Sequence, residues 1–439
     1  MCGLIGSQDS NITTEMLMDA LTSMSYRGIE DLKMETSFPD TNIGHVSLPL
    51  CSLDPDAAEQ PKELFAFVGE IFNWKDFSDI ARNDVEMIRS EALCNHLETF
   101  LSRLHKMDGF WAIVMSYQGQ LVAITDYLSQ KPIYYRTDMN AVASEPKALL
   151  GFGETTEDKT FFSNVQKWGY DPTGRTAWNE IKQMPPGSVY IDGTIIEYWN
   201  WDNVDACTSI RQGLSLAIRR RIDVARPLSM LLSGGLDSSI IYEVIKQNHP
   251  QLEIEVFHVE NGESHYANRI TTDRTNITID DVTDREAVEI HQSPVDLGSV
   301  KPQIALGKAI ADQGYHVVMT GDGADELFGG YRRAKEYDSQ YSDVFCELPY
   351  YHLPRLDRTM MHSTIEVRSP FLAPYIVKYA LELDREYRID KLVLKLGYCK
   401  EIPAEILHRK KEPLKSQQVR KDLLENTQNN IELFKEIFQ

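Results

Sequence analysis

The sequence predicts an α+β N-terminal domain of layered antiparallel sheets with flanking helices, followed by an α/β domain on a parallel sheet. Three observations carry this. At 439 residues the chain is too long for one ordinary core. Up to about residue 200, short apolar runs follow one another between turn residues. Beyond residue 205, helical and strand patterns alternate. Successive neighbouring strands pair antiparallel, whereas regular alternation with helices is the pattern of a parallel sheet covered on both faces. The resulting domains are 1–200 and 206–439, with the polar stretch through Asp205 as linker.

The chain opens "MCGLIG", with Cys2 behind the initiator. This is either the edge of a buried strand or a nucleophile at the chain terminus. A small second residue permits removal of the initiator, which would put a thiol and a free α-amine on one residue. The runs "ELFAFVGEIF", "FWAIVMSY", "QLVAIT" and "PIYYRTD" then read as strands, and "EMIRSEALCNHLETFLSRLHKM" as one helix over them. "MPPGSVYIDGTIIEYW" reads as a closing hairpin. The second half reads as helix "SIRQGLSLAIRRRI", strand "LSMLL", a helix from Asp237, strand "EIEVFHV", helix "KPQIALGKAIADQ" and strand "YHVVM". "NNIELFKEIF" is an amphipathic helix docked on its own domain.

Composition bounds the function. With 42% hydrophobic and 25% charged residues, the chain is of the soluble globular class. No run approaches the ~18 apolar residues of a membrane helix, and no basic region leads into an apolar run at the N-terminus. A cytoplasmic protein without a membrane partner is expected. A formal charge of −21 repels nucleic acid as a generic partner. Of the six scattered cysteines, five read as reduced structural thiols. The histidines show no paired metal spacing, so no zinc site is assigned.

Two strand ends carry chemistry. "SGGLDSS" at 233–239 lies between "LSMLL" and a helix. Gly234 and Gly235 let the backbone turn tightly, and Ser233, Ser238, Ser239 and the helix N-terminus attract an anion. The stretch reads as a phosphate or pyrophosphate cradle, beside the alternative of a plain structural turn. It lacks the lysine of a P-loop. An acid inside such a turn makes sense when a metal bridges it to phosphates, which makes Asp237 a candidate Mg²⁺ ligand. "VVMTGDGADELFGGYRR" places Asp322, Asp325 and Glu326 after a second strand, at the carboxyl end where open α/β sheets bind ligands. "RRR" at 219–221 reads as helix surface. "HRKKEPLK" at 408–415 reads as surface too, with a place near a pyrophosphate exit as the alternative.

"MCGLIG", "LLSGGLDSS", "TGDGADELFGGY" and "LPRLDRTMMHSTIEVRSPFL" together resemble the glutamine-hydrolysing asparagine synthetase family, in that family's order and over nearly the whole chain. The resemblance implies an N-terminal-nucleophile glutaminase domain and an ATP pyrophosphatase domain joined by an internal ammonia tunnel. It implies that Cys2 attacks the glutamine amide with its own α-amine as base. Gly69 then matches an oxyanion donor, Glu70 and Asp84 match residues holding the substrate's amino end, and Arg27 with Gly28 match a loop closing over the thiol. In the synthetase half, Leu231, Ser233, Gly235, Val259, Thr320 and Gly321 match the nucleotide cleft. Asp237 and Asp325 match the magnesium and pyrophosphate site, and Lys391 a lysine stabilising phosphate charge. Asp322 stands for a family glutamate that assists attack on the adenylate. ATP and Mg²⁺ are the implied cofactors, and a homodimer is expected.

The chain departs from the family at Val68, where the oxyanion-hole asparagine would stand, and at Ser47, where an arginine would clamp the α-carboxylate of glutamine. "LGSVK" lacks the arginine-containing run near the acceptor pocket, and Ala373 replaces an aspartate. The implied reaction is L-aspartate, ATP and glutamine or ammonia giving asparagine, AMP and diphosphate. The alternatives are amidation of another carboxylate, mainly with ammonia, and a catalytically silent binding homologue.

Overall fold

The computed structural model describes residues 3–29, 32–37, 41–48, 50, 62–260, 264–331, 340–409 and 419–438; Cys2 and Cys51 lie outside them. The apolar runs of the first half form two antiparallel sheets. One has the order β2 (Lys33–Ser37), β3 (Thr41–Val46), β1 (Gly3–Ser7), β8 (Ala141–Ala143), β7 (Tyr134–Arg136) and β9 (Ile181–Gln183). The other runs β11 (Thr194–Glu197), β10 (Ser188–Ile191), β6 (Gln120–Thr125), β5 (Gly109–Tyr117) and β4 (Phe65–Ile71). Alternation along β4 sorts its side chains: Ala66 and Val68 enter a core with Leu4, Ile43 and Val142 from the first sheet. Phe65, Phe67 and Ile71 enter a second core.

That second core crosses the domain boundary, since it also holds Ile210, Leu214, Leu228 and Leu372. The linker is packed as well. Trp201 and Trp199 lie 5.6 and 4.8 Å from Tyr127, ring to ring. The second half is a parallel sheet, β14 (Thr275–Ile277), β13 (Glu255–Val259), β12 (Leu228–Leu231), β15 (Val317–Met319) and β16 (Glu366–Arg368). β12 sits in its middle, so the loops after β12 and β15 emerge side by side.

Four readings need correction. The single helix expected over 86–107 is two, Asp84–Cys94 and Leu97–Leu104, because Asn95 and His96 take extended backbone. Asn95 Nδ2 caps the Glu91 carbonyl at 2.7 Å. "RRR" is not all surface: Arg221 is buried, with Nη2 2.9 Å from Asp108, and Arg220 reaches Asp108 and Asp76. Both arginines therefore clamp the two halves. The terminal helix, Val419–Phe438, packs on both halves. Phe434 meets Phe162 and Trp178 of the first, and the same helix lies along Asp284–His291 of the second. None of the described cysteines is in a disulfide, but Cys94, Cys346 and Cys399 are exposed and not structural. Among the described residues no helix is long and apolar enough to cross a membrane.

Candidate active site

The cradle forms where β12 hands over to the helix Leu236–Asn248. Gly234 has φ +75°, and a Cβ there would come 2.7 Å from the Ala267 amide, so both conformation and space require glycine. The Ser233 hydroxyl lies 3.0 Å from that of Ser238 and accepts the Gly235 N–H at 3.2 Å. The Ser239 amide donates to the Gly235 carbonyl at 3.1 Å as the helix begins. This leaves a helix N-terminus aimed out of the sheet, a ready site for an anion. Leu231 and Val259 end β12 and β13, half-buried at the same edge.

Beside it, β15 runs into Thr320, Gly321 and Asp322. The Thr320 hydroxyl donates to Asp322 Oδ2 at 2.6 Å and lies 3.2 Å from the Ser369 hydroxyl. Burial raises the pKa of Asp322 against that hydrogen bond, and Glu326 raises it further.

Lys391 joins the two loops. Its ammonium lies 2.6 Å from Asp237 Oδ2 and 2.6 Å from Asp325 Oδ1. The lysine is buried. Lys391 and Asp390 both sit at φ +57°, left-handed backbone that costs of order 1–3 kcal/mol in such residues. Their amides donate to Phe328 and Gly329 carbonyls at 2.9 and 3.1 Å, which ties the strained turn to the loop following Asp325.

Asp237 and Asp325 thus face each other across one ammonium. Two convergent carboxylates fit Mg²⁺, which takes one or two protein carboxylates plus water and phosphate oxygens. Among the described residues no cluster of three or more metal-ligating side chains exists.

Beyond Asp322 stand Glu326, which the sequence placed at this strand end without a role, and further groups. Glu326 accepts from the Tyr331 hydroxyl and lies 3.4 Å from His352 Nε2. Arg355 donates to Ser299 at 2.8 Å and lies 3.9 Å from Asp296. Arg409 donates to the Gly234 carbonyl at 3.1 Å and stacks on Tyr266, so the basic run begins at the cradle; residues 410–418 lie outside the described residues. The signal for Arg355 was its place in "LPRLDR", and for Arg409 the run itself.

The glutaminase residues surround β1. Cys2 itself lies outside the described residues; Gly3, which follows it, pairs with Val46. Gly69 has φ +142°, and a Cβ there would fall 2.0 Å from the Phe110 carbonyl. Val68 is in the core between the sheets. Ser47 is buried with its hydroxyl 3.0 Å from His45 Nδ1. Glu70 is buried 3.4 Å from Arg368 of β16. Asp84, first in its helix, accepts the Ile71 N–H at 3.0 Å, and burial pushes its carboxyl up to about 6.

Arg27 is not on an open loop. Its guanidinium is buried 2.8 Å from Glu145 and 2.7 Å from Asp357 of the second half. Burial opposes its charge, but Asp357 and Glu145 overcome that and raise its pKa. Asp357 also takes Lys131 at 2.6 Å. A cavity lies at this seam, lined by Phe110, Gln130, Lys131, Leu356, Asp357 and Ser369. Ser369 is the residue beside Thr320, so the cavity adjoins the synthetase strand ends.

Comparison with known proteins matches two family models. Residues 1–199 match the model of the glutamine amidotransferase domain, and 209–345 with 337–432 match that of asparagine synthase. A probable glutamine-hydrolysing asparagine synthetase of Acanthamoeba polyphaga mimivirus is 26% identical over 78% of this chain and 70% of its own. Asparagine synthetase 2 of Arabidopsis thaliana is 24% identical over 94% and 78%. That of Sandersonia aurantiaca is 23% identical over 94% and 86%. A solved allosteric regulatory enzyme of purine biosynthesis aligns with a TM-score of 0.33 at 13% identity, covering 78% of each chain.

Proposed function

Because the chain belongs to the asparagine synthase family, with a glutamine amidotransferase domain ahead of the synthetase domain, we propose that it is a ligase that amidates a carboxylate at the expense of ATP. Its acceptor is L-aspartate and its nitrogen donor glutamine or ammonia. The observation that carries the reading is Lys391 held between Asp237 and Asp325 beside the Ser233–Ser239 cradle.

In this reading the acceptor's carboxylate oxygen attacks the α-phosphorus of ATP, and diphosphate leaves from the cradle. Mg²⁺ on Asp237 and Asp325 would neutralise phosphate charge. Lys391 moves from the carboxylates to the phosphates, and as a compact cation it stabilises the charge that develops on the leaving group. Ammonia then attacks the acyl carbon and AMP leaves. Asp322 takes the proton that the attacking nitrogen sheds, a role supported by its raised pKa and its hydrogen bond from Thr320.

In the first half, Cys2 attacks the glutamine amide, and the Gly69 N–H supports the oxyanion. The freed ammonia crosses the seam cavity between Phe110 and Leu356 toward Ser369.

One feature bears on the acceptor. The wall beyond Asp322 is rich in carboxylates, Glu326, Glu347 and Asp296, with Arg355 and His352 among them. Such a wall suits an acceptor with an amino group, and aspartate is one of several.

Diphosphate release with ATP, Mg²⁺ and a panel of carboxylic acids tests the proposal. Release that requires aspartate supports asparagine formation, release with another amino acid moves the acceptor, and no release with any acid refutes ligase activity.

A further inference from the structure

A second cavity at the seam belongs to neither reaction centre. It lies between β7 and the 170–177 loop of the first half and the end of the helix Asp284–His291 with the start of the helix Leu353–Met361 of the second. About 520 Å³ of space, counted out to its open mouth, is walled by Tyr134, Tyr170, Tyr351, Arg175, His291 and Arg358.

Arg358 is buried and, among the described residues, has no carboxylate within ion-pair distance. The two buried carboxylates nearby are already taken. Glu145 is held by Arg27 at 2.8 Å and Lys147 at 3.6 Å, and Asp357 by Arg27 and Lys131. Arg358 instead donates to the His291 carbonyl at 2.5 Å and to the Tyr134 hydroxyl, with its face 5.0 Å from the Tyr134 ring centroid. Among the described residues its Nε has no hydrogen-bond partner. His291 lines the same cavity, 3% exposed, and its Nδ1 has no hydrogen-bond partner among the described residues either. Asp171, the acid in the wall, is occupied. It accepts from the Thr173 amide and hydroxyl, the Arg175 amide and Asn164.

A buried guanidinium without a counter-charge is costly, and so is a buried donor left unpaired. Both residues line one cavity, and a single ligand reaching both groups cures both defects. We propose that this cavity binds a small carboxylate ligand, its oxygens bridging Arg358 Nε and an N–H at His291 Nδ1, with the tyrosines flanking its body. Since the walls come from both halves, the bound anion fastens them together. The site is independent of which acceptor the synthetase uses.

Thermal melting and calorimetric titration with sodium acetate, sodium phosphate and sodium chloride at matched ionic strength test this. Acetate raises the melting temperature of the wild type saturably and beyond chloride. Arg358→Gln weakens that affinity roughly tenfold or more, as loss of a charge-assisted hydrogen bond should, and His291→Phe weakens it severalfold. Arg358→Lys, which keeps the charge, folds and retains part of the effect. Lys391→Ala, which disables the phosphate cradle, leaves it unchanged. Equal responses to acetate and chloride overturn the proposal, as does an acetate effect that survives in both Arg358→Gln and His291→Phe or disappears in Lys391→Ala. A response to phosphate alone overturns the carboxylate assignment.

Discussion

Asp357→Asn tests whether the seam is held by charge. Asp357 is 5% exposed, and its two oxygens take Arg27 at 2.7 Å and Lys131 at 2.6 Å. Burial opposes its ionisation, yet the two cations keep its pKa below the usual carboxylate value. The asparagine has nearly the same shape but no charge. Arg27 keeps Glu145, whereas Lys131, itself buried, loses its one carboxylate partner among the described residues. Removing one member of a buried pair costs about 3–5 kcal/mol, most of it from the ion left behind. The loss for Asp357→Asn should be at the lower end, about 3 kcal/mol, because the amide oxygen still accepts one hydrogen bond. Adding Lys131→Met removes the stranded ammonium and should recover at least half of the loss. Denaturant unfolding of wild type, both single variants and the double variant reads this cycle. A second readout is glutamate formed per diphosphate released. That ratio should rise above the wild-type value in Asp357→Asn, because the seam cavity loosens. The reasoning is refuted if Asp357→Asn lies within 1 kcal/mol of wild type, or if the two substitutions simply add.

Three further outcomes are expected. Lys391→Ala should lower the diphosphate-forming kcat by roughly 10²–10³ while leaving Cys2 reactive toward a glutamine-mimicking electrophile; loss of both would indicate unfolding. Steady-state kinetics should give a higher kcat/KM for ammonia than for glutamine, since Val68 cannot donate to an oxyanion and Ser47 cannot clamp a carboxylate; a clear preference for glutamine would disprove this. His291 is buried and its pKa is held well below 6.5, by burial first and then by Arg358 and Arg355. In the unfolded chain it takes up a proton below about 6.5 that the folded chain refuses, so stability falls as pH drops through that value. The slope is about 1.4 kcal/mol per pH unit, and equilibrium unfolding from pH 7 to 5 should show His291→Phe with a shallower slope than wild type.

The sequence by itself determined the two sheet types, the glycine turn at residues 233–239 and the family. Each rests on local pattern: period-two runs separated by turns, glycines between a strand and a helix, and contiguous motifs. Val68 was legible as a departure, since one position in "VGE" carries it.

Tertiary structure decided what depends on distant partners. Lys391 entered the site reading only through the family resemblance, and it is the left-handed turn at 390–391 that brings it to Asp237, 154 residues away. Arg27 reads as a loop over the thiol, but carboxylates at 145 and 357 draw it into the seam. Arg221 reads as surface because nothing near it in sequence reveals Asp108 on the other half. In all three a charged side chain is buried because an opposite charge reaches it from a remote part of the chain. Local periodicity records how much of a helix face is apolar, but it carries no information about which remote charge will meet that face.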